Sequence, residues 1–315
     1  MKDGIFVGID TSNYTTSIGI VGSDGELFAN LKSPLSVAKG ERGLRQSDAV
    51  FAHIKNLPEL LKKAEEVING RTVRAIGVST RPRNKDGSYM PCFLSGVSAA
   101  HAMSAALGVP LYELSHQCGH IMATIYSAGI EMPERFFAFH ISGGATELVL
   151  AKRHGFGFDC ESIGGTRDLN AGQIIDRVGV YMGMPFPAGK YMEEAALANT
   201  AAVPSRKPSV TGTEANLSGL ENMAKKLYDD TKDKALVSAF VFRYLARAIR
   251  MMCEGAIQKY GRLPFVLAGG VMSNSIIKEE LKKSLDASFG EPSLSADNAV
   301  GIAVLAKNAY KYEKG

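Results

Sequence analysis

Short apolar runs and amphipathic stretches alternate along the whole chain. The opening GIFVGIDTSNYTTSIGIVGSDGELFAN sets two β-rich runs, Ile5–Ile9 and Thr16–Val21, on either side of a polar turn, and GSDGE marks the next hairpin. In VFAHIKNLPELLKKAEEVI, Val50, Ile54, Leu57 and Leu61 recur at helical spacing. VRAIGVST reads as a buried strand, and FLSGVSAAHAMSAALG as an alanine-rich helix closed by Gly108. VPLYELS is a further strand that runs straight into LSHQCGHIMATI.

A second cycle begins at FFAFHISGGATELVLAKRHG, where two apolar runs again flank a glycine-containing polar turn. The repeat is one of pattern more than of letters, and it predicts a duplicated unit. A helix over Gly172–Met182, a Pro/Ser/Thr loop at VPSRKPSVTGTEAN and a long helix over Ala235–Tyr260 follow. The strand and turn LPFVLAGGVMSN come next, and the last helix is predicted to begin near Asp297. Strands alternating with helices predict α/β layers, with a domain boundary near residues 125–135.

Composition narrows the class. A hydrophobic share of 45% and a charged share of 22% are those of an ordinary globular chain, and no run approaches the ~18 apolar residues of a membrane span. The net charge of +4, from 36 basic against 32 acidic residues, is compatible with a nucleic-acid partner without requiring one. The four cysteines, Cys92, Cys118, Cys160 and Cys253, show no CxxC spacing, which argues against a zinc ribbon or a disulfide framework and for a reducing compartment. The opening MKDGIFVGID has no charged leader ahead of a long apolar run. The expectation is a cytoplasmic protein without a membrane anchor.

Three turns join an apolar strand to Gly, Ser, Thr or Asn: GIDTSN (8–13), ISGGAT (141–146) and LAGGVMSN (267–274). Glycine lets backbone approach a phosphate, and successive N–H groups there can cradle an anion. One such turn is usually an ordinary hairpin, whereas three point toward a nucleotide held between two lobes. His116 and His120, four apart, fall on one helix face at a spacing that suits a single ion. Two polar positions on a helix are the bland alternative. No glutamate follows His116 in the HExxH manner, so a zinc-protease reading lacks its base. Asp297 precedes an apolar helix, where capping is its default role, and Asp176, beside Arg177, reads by default as an exposed ion-pairing residue. Gly189, in MPFPAGKY, fits either a ligand approach or a helix boundary.

Together these stretches resemble the threonylcarbamoyl transferase family, once described as glycoproteases, within the ASKHA superfamily of actin-like, sugar-kinase-like and Hsp70-like ATPases. The resemblance covers nearly the whole chain in GIDTSNYTTSIGI, LSHQCGHIMA, HISGGATELV, TRDLNAGQIIDRVGVYMGMPFPAG, NLSGLENM, LAGGVMSN and SADNAVGIA. It implies an α/β fold of two actin-like, RNase H-like lobes with a nucleotide cleft between them, over 1–130 and 131–315, the last helix packing back on the first lobe. It implies one divalent ion, iron or zinc, on His116, His120 and Asp297. ATP or an acyl-adenylate is implied at Asp10, Ser12, Ser142, Gly143, Gly144, Asp176, Gly189, Gly270 and Asn274. The implied activity moves threonylcarbamoyl from an adenylate to N6 of adenosine 37 in tRNA, with tRNA and protein subunits as candidate partners. No catalytic residue is assigned.

The departures from the family pattern fall elsewhere. Where the family shows Cys-Asp-Glu after the serine, this chain has Asn13, Tyr14 and Thr15, and the lysine expected after SGL is Glu221. A glycine-rich family loop is replaced by RPRNKDGSYMPCFL, with Arg81, Arg83 and Lys85. These changes predict a divergent paralogue. Its alternatives are a related carbamoyl or acyl-adenylate transferase with a non-tRNA acceptor, or a nucleotide-binding subunit without activity.

Overall fold

In the computed structural model, which describes residues 4–12, 14–36, 44–295 and 297–315, the chain divides into two units. The first comprises Met1–Met132, Lys152–Asp159 and Ser293–Gly315, and the second Pro133–Ala151 and Cys160–Pro292. Asn13, part of the altered turn, lies outside the described residues.

The first unit is built on β1 (Gly4–Ser12), β2 (Thr15–Gly22), β3 (Leu27–Pro34), β4 (Thr72–Arg81) and β5 (Leu111–Ser115), in the order β3-β2-β1-β4-β5. The β1–β2–β3 meander is antiparallel, and β4 and β5 join β1 in parallel. Helices α1 (Gln46–Ile68), α2 (Phe93–Leu107) and α3 (His116–Ser127) complete its N-terminal part. Gly108 ends α2 at φ 64°, the left-handed turn that the sequence predicts there. Side chains alternate across β1, so Ile9 and Thr11 meet α2 while Gly8 and Asp10 face the opposite side.

The second unit carries β6 (Arg135–Ile141), β7 (Thr146–His154), β8 (Gly157–Thr166), β9 (Ser209–Thr211), β10 (Glu214–Asn216), β11 (Phe265–Ala268) and β12 (Ala287–Phe289). Their order is β12-β11-β6-β7-β8-β10-β9, so β8-β7-β6-β11-β12 repeats the first sheet's order. Its helices are α4 (Ala171–Tyr181), α5 (Gly189–Leu197), α6 (Ser218–Thr231), α7 (Lys234–Tyr260) and α8 (Ser275–Lys282), and the single turn α9 (Pro292–Ser295) leads from it into the first unit. Phe137, Phe139 and Ile141 of β6, with Phe265 and Leu267 of β11, are buried in one core with α4, α5 and α7. The β9–β10 pair corrects the loop expected over 203–216. Its three-residue strands are too short to show a period, and the backbone bond from Gly165 N–H to Thr213 O docks the hairpin on β8.

The last helix, α10 (Val300–Lys314), belongs to the first unit and covers the Gly8/Asp10 face of its sheet. Gly19, Gly8 and Gly77 are register neighbours on β2, β1 and β4. A Cβ at Gly19 would lie 2.6 Å from Val300 N, one at Gly77 would lie 2.8 Å from Ile302 O, and one at Gly8 would collide with Ala299 O. That glycine row brings the helix backbone directly onto the strands. α3 crosses α10 equally closely, because a Cβ at Gly301 would overlap the Gly119 carbonyl oxygen.

Candidate metal centre and nucleotide-binding turns

Two local devices place His116, His120 and Asp297. β5 ends at Ser115, whose Oγ accepts Cys118 N–H at 3.2 Å and starts α3, so both histidines fall in its first turns. The loop before α10 is held by Asn298, whose Nδ2 donates to Leu294 O at 2.8 Å and whose Oδ1 accepts Val300 N–H at 3.0 Å. Asn298, just ahead of the N-cap Ala299, therefore meets the first N–H of the helix where sequence assigns that contact by default to Asp297, and the helix starts three residues later than predicted. Asp297 is left to face the histidines.

The two Nε2 atoms stand 3.0 Å apart, and Asp297 Oδ1 lies 3.2 Å from His120 Nε2 and 3.8 Å from His116 Nε2. All three ligand atoms fall within 4.8 Å of one another. An ion at about 2.0–2.1 Å from each nitrogen would subtend roughly 90–95° between them, an ordinary angle for two adjacent ligands. The His120 side chain is 2% exposed and that of Asp297 27%, so the cluster is open on the aspartate side. Two imidazoles and one carboxylate suit zinc or iron(II) equally. Cys118 is no part of the set; its Sγ accepts Asn84 Nδ2 at 3.4 Å.

Asp10 supplies what the sequence does not reveal. His116 Nδ1 lies 2.8 Å from Asp10 Oδ2, Ser79 Oγ donates to the same oxygen, and Ser12 N–H donates to Oδ1 at 2.9 Å. Both carboxylate oxygens are thus occupied by protein. A carboxylate behind a histidine fixes its tautomer and turns its other nitrogen outward, as the partners of metal-bound histidines do. Burial works against the charge of Asp10, but the charge and hydrogen bonds of His116 and Ser79 hold its carboxyl below the usual range. Burial likewise works against protonated His116, yet the Asp10 charge and hydrogen bond and the Asp297 charge raise it to about 9. Burial and the His116 charge depress His120. Ser79 joins the cluster through the register that pairs Ile9 with Val78, one residue before each. Strand pairing carries that information, and residue spacing does not.

The remaining predicted residues lie in the second unit, apart from Asp10 and Ser12, which end β1. Ser142–Gly144 and Gly270 follow the C-terminal ends of β6 and β11, adjacent parallel strands paired His140 to Ala268. Crevices at such strand ends are where open α/β sheets hold ligands. Ser142 Oγ accepts the N–H groups of Gly144 and Ala145, at 3.3 and 3.1 Å, so of the two expected donors only Gly143 keeps an N–H without a partner among the described residues. A Cβ at Gly172 would lie 2.6 Å from Gly143 N, which seats the start of α4 against this turn.

Asp176 departs from its default reading. It is partly buried and unpaired with Arg177; its Oδ1 accepts Ala188 N–H at 2.8 Å, next to Gly189. Burial raises its carboxyl, the Ala188 bond only partly offsetting this. From Gly189, α5 leads to Glu193, whose Oε1 accepts Ser275 N–H at 2.7 Å beside Asn274. Asn274 itself caps α8 through Ile277 N–H at 3.0 Å. Asp176, Gly189 and Asn274 are therefore tied together through one helix. Glu221 bonds Lys225 at 2.6 Å and Arg177 at 3.2 Å, so the reversed charge is matched by two cations.

The altered loop after β4 borders a pocket of about 490 Å³ lined by Arg81, Asn84, Lys85, Asp86, Gly87, Ser88 and Asp159. Two carboxylates share the pocket with the two cations, and Arg83 is not among its walls.

Comparison with known proteins gives this arrangement a family. Residues 30–304 match the model of the tRNA N6-adenosine threonylcarbamoyltransferase family. The chain belongs to that family. Members from Streptococcus suis (strain 05ZYH33) and Bacillus licheniformis are each 30% identical, over 99% and 100% of this chain and 94% of each relative. One from Neorickettsia sennetsu is 29% identical over 96% of this chain and 93% of its own length. Among solved structures, full-length HypF in its phosphate- and nucleotide-bound form aligns with a TM-score of 0.62 at 11% identity, over 98% of this chain and 47% of HypF. A ROK-family glucokinase from Streptomyces griseus, in complex with glucose and AMPPNP, aligns at 0.52 and 16% identity over 96% of this chain and 99% of its own. Such distant likenesses establish the ASKHA, actin-like fold. No helix among the described residues is long and apolar enough to cross a membrane.

Proposed function

We propose that this member is a metal-dependent transferase that moves threonylcarbamoyl from an adenylate to N6 of adenosine 37 in tRNA. The observation that supports this most is the convergence of His116, His120 and Asp297 with Asp10 locked behind His116. A scaffold has no physical need for a buried carboxylate that orients one ligand of an open three-residue cluster.

His116, His120 and Asp297 would hold the ion, and Asp10 would keep the His116 proton on Nδ1 so that Nε2 presents a lone pair. Bound there, a divalent ion supplies Lewis-acid polarisation of a carbonyl or phosphoryl oxygen. Asp176, with one oxygen on Ala188 N–H, keeps the other for a ribose hydroxyl. Gly143 offers its N–H to a phosphate, and Asn274, its Oδ1 taken by Ile277 N–H, keeps its Nδ2 group for the base or ribose. The burial of His120 and Asp10 keeps bulk water off the inner side of the cluster.

A non-tRNA acceptor is favoured by one specific feature: the pocket beside Arg81 is lined as much by Asp86 and Asp159 as by cations. Carboxylates repel a phosphate backbone. Nucleoside analysis of tRNA from a deletion strain separates the readings. Loss of N6-threonylcarbamoyladenosine supports the tRNA acceptor. Retention of the full level, with metal and AMP still bound by the purified protein, supports the second acceptor.

A further inference from the structure

Lys32 lies in a row defined by the register of three strands. Asp10 opposes Ser17 across β1–β2, and Ser17 opposes Lys32 across β2–β3. Directly opposed residues share a sheet face, so Lys32 stands on the face that carries Asp10 and the histidines. Its Nζ donates to Ser293 O at 2.8 Å, at the start of the segment that leads to Asp297. Asn30 Nδ2 donates to the same carbonyl at 3.2 Å.

Two features make the ammonium more than a tether. Asn30 already supplies a neutral donor to that carbonyl, so the charge is not needed to hold the segment. And an ammonium has three N–H groups, of which Lys32 uses one; no carboxylate pairs with it among the described residues. Burial lowers its pKa and the Asp297 charge pushes it back up, which puts the ammonium within the field of the metal cluster. A partly buried cation without a counter-ion is costly. With a divalent ion on the cluster, the ion's two charges and the ammonium would exceed the carboxylates of Asp10 and Asp297 by one. The centre then lacks one negative charge.

We propose that Lys32 is a substrate-binding residue of this centre, holding one oxygen of a singly charged oxyanion on the donor substrate beside the metal ligands. The assignment rests on the reading of His116, His120 and Asp297 as those ligands. The oxyanion is either the phosphate of an adenylate or the carboxylate of its amino-acid part.

The test compares the full-length wild type with Lys32→Met and Lys32→Arg. Zinc titration is measured first, then calorimetry of AMP and of N-carbamoyl-L-threonine on zinc-loaded protein. Loss of one charge-assisted bond predicts about 10- to 100-fold weaker binding of one probe by Lys32→Met, largely restored in Lys32→Arg. Zinc affinity should hold or rise slightly as a neighbouring cation is removed. Weaker AMP binding identifies the phosphate, and weaker N-carbamoyl-L-threonine binding the carboxylate. Unchanged affinity for both probes in Lys32→Met, with weaker zinc binding or a lower melting temperature, would make Lys32 a tether and overturn the proposal. So would the absence of binding of either probe to wild type. If wild type takes up no zinc, the ligand assignment fails by itself. The same comparison on metal-free protein then decides Lys32, and unchanged probe affinity there overturns it.

Discussion

Asp10 Oδ2 and His116 Nδ1 lie 2.8 Å apart, although the two residues are separated by more than a hundred positions in the chain. One ends the central strand of the first sheet and the other begins the helix after its edge strand. The pair converts a histidine on a helix into a histidine of fixed tautomer and direction, which is the property a ligand needs.

Asp10→Asn tests that relationship, because the amide keeps the shape and loses the charge. Weakening the partner of a ligating histidine typically lowers metal affinity by about 10- to 100-fold. Chelator-competition titration should show that loss with the circular dichroism spectrum unchanged. Equal zinc affinity in the variant and the wild type would mean that the carboxylate does not orient a ligand.

Gly301→Ala touches no ligand, yet it should lower metal content. The added methyl meets the Gly119 carbonyl, which sits between His116 and His120 on α3, so the two helices must part. Overpacking of this kind costs about 1–3 kcal/mol, and here it also separates Asp297 from the histidines. Gly219→Ala is the control: beyond its chain neighbours and its own helix backbone, no atom among the described residues lies within 4 Å of an added Cβ, and in helix α6 alanine should be neutral or stabilising by up to about 1 kcal/mol. Thermal melts and metal analysis of both proteins check this; a Gly301→Ala protein as stable and as metal-loaded as wild type contradicts it.

Asp176→Asn separates ligand binding from loop support. The amide oxygen can still accept Ala188 N–H, whereas the charge and the second acceptor are lost. Removing a hydrogen bond to a charged group costs about 1.5–3 kcal/mol, or roughly 10- to 150-fold in affinity. Calorimetry with AMP should show that loss with the melting temperature little changed. Wild-type affinity would end the ribose assignment.

Element type was legible in the sequence wherever a run was long enough to show a period. The strands β1, β2, β6 and β7 and the helices α1, α2 and α7 fall within a few residues of their expected places. The β9–β10 hairpin was not legible, because three residues cannot display alternation and its stabilising contact with β8 is non-local. The same reason separates the parts of the site that could be read from those that could not. His116 and His120 announce themselves by spacing on one helix. Asp10, Ser79 and Lys32 join them only through strand register, which no local pattern encodes. Asp297 looked like a cap because its neighbour Asn298 meets the first helical N–H only once the loop from Leu294 is formed.

His53 gives the pH dependence, with a sign that can be worked out. It is fully buried on α1, its Nδ1 is 2.8 Å from Thr16 Oγ1, and that hydroxyl already accepts Asn56 Nδ2 at 3.2 Å. In the neutral ring that accepts the hydroxyl proton at Nδ1, the ring proton sits on Nε2, which has no partner in hydrogen-bond geometry among the described residues. Burial holds the imidazole below its ordinary value of 6.5, against the opposing influence of the Asp10 charge and the Ser12 backbone. The folded pKa is depressed, so the unfolded chain binds the proton more readily. Stability from this residue is complete above pH 6.5 and is lost as the pH falls from there toward the folded value. The melting temperature of wild type should therefore fall more between about pH 7 and about pH 5 than that of His53→Gln, which has nothing to protonate at this position. Every other titrating group is common to the two proteins, so the difference between their curves isolates His53. Parallel curves over that interval would show that the ring takes up its proton without unfolding, and the buried neutral state would have to be abandoned.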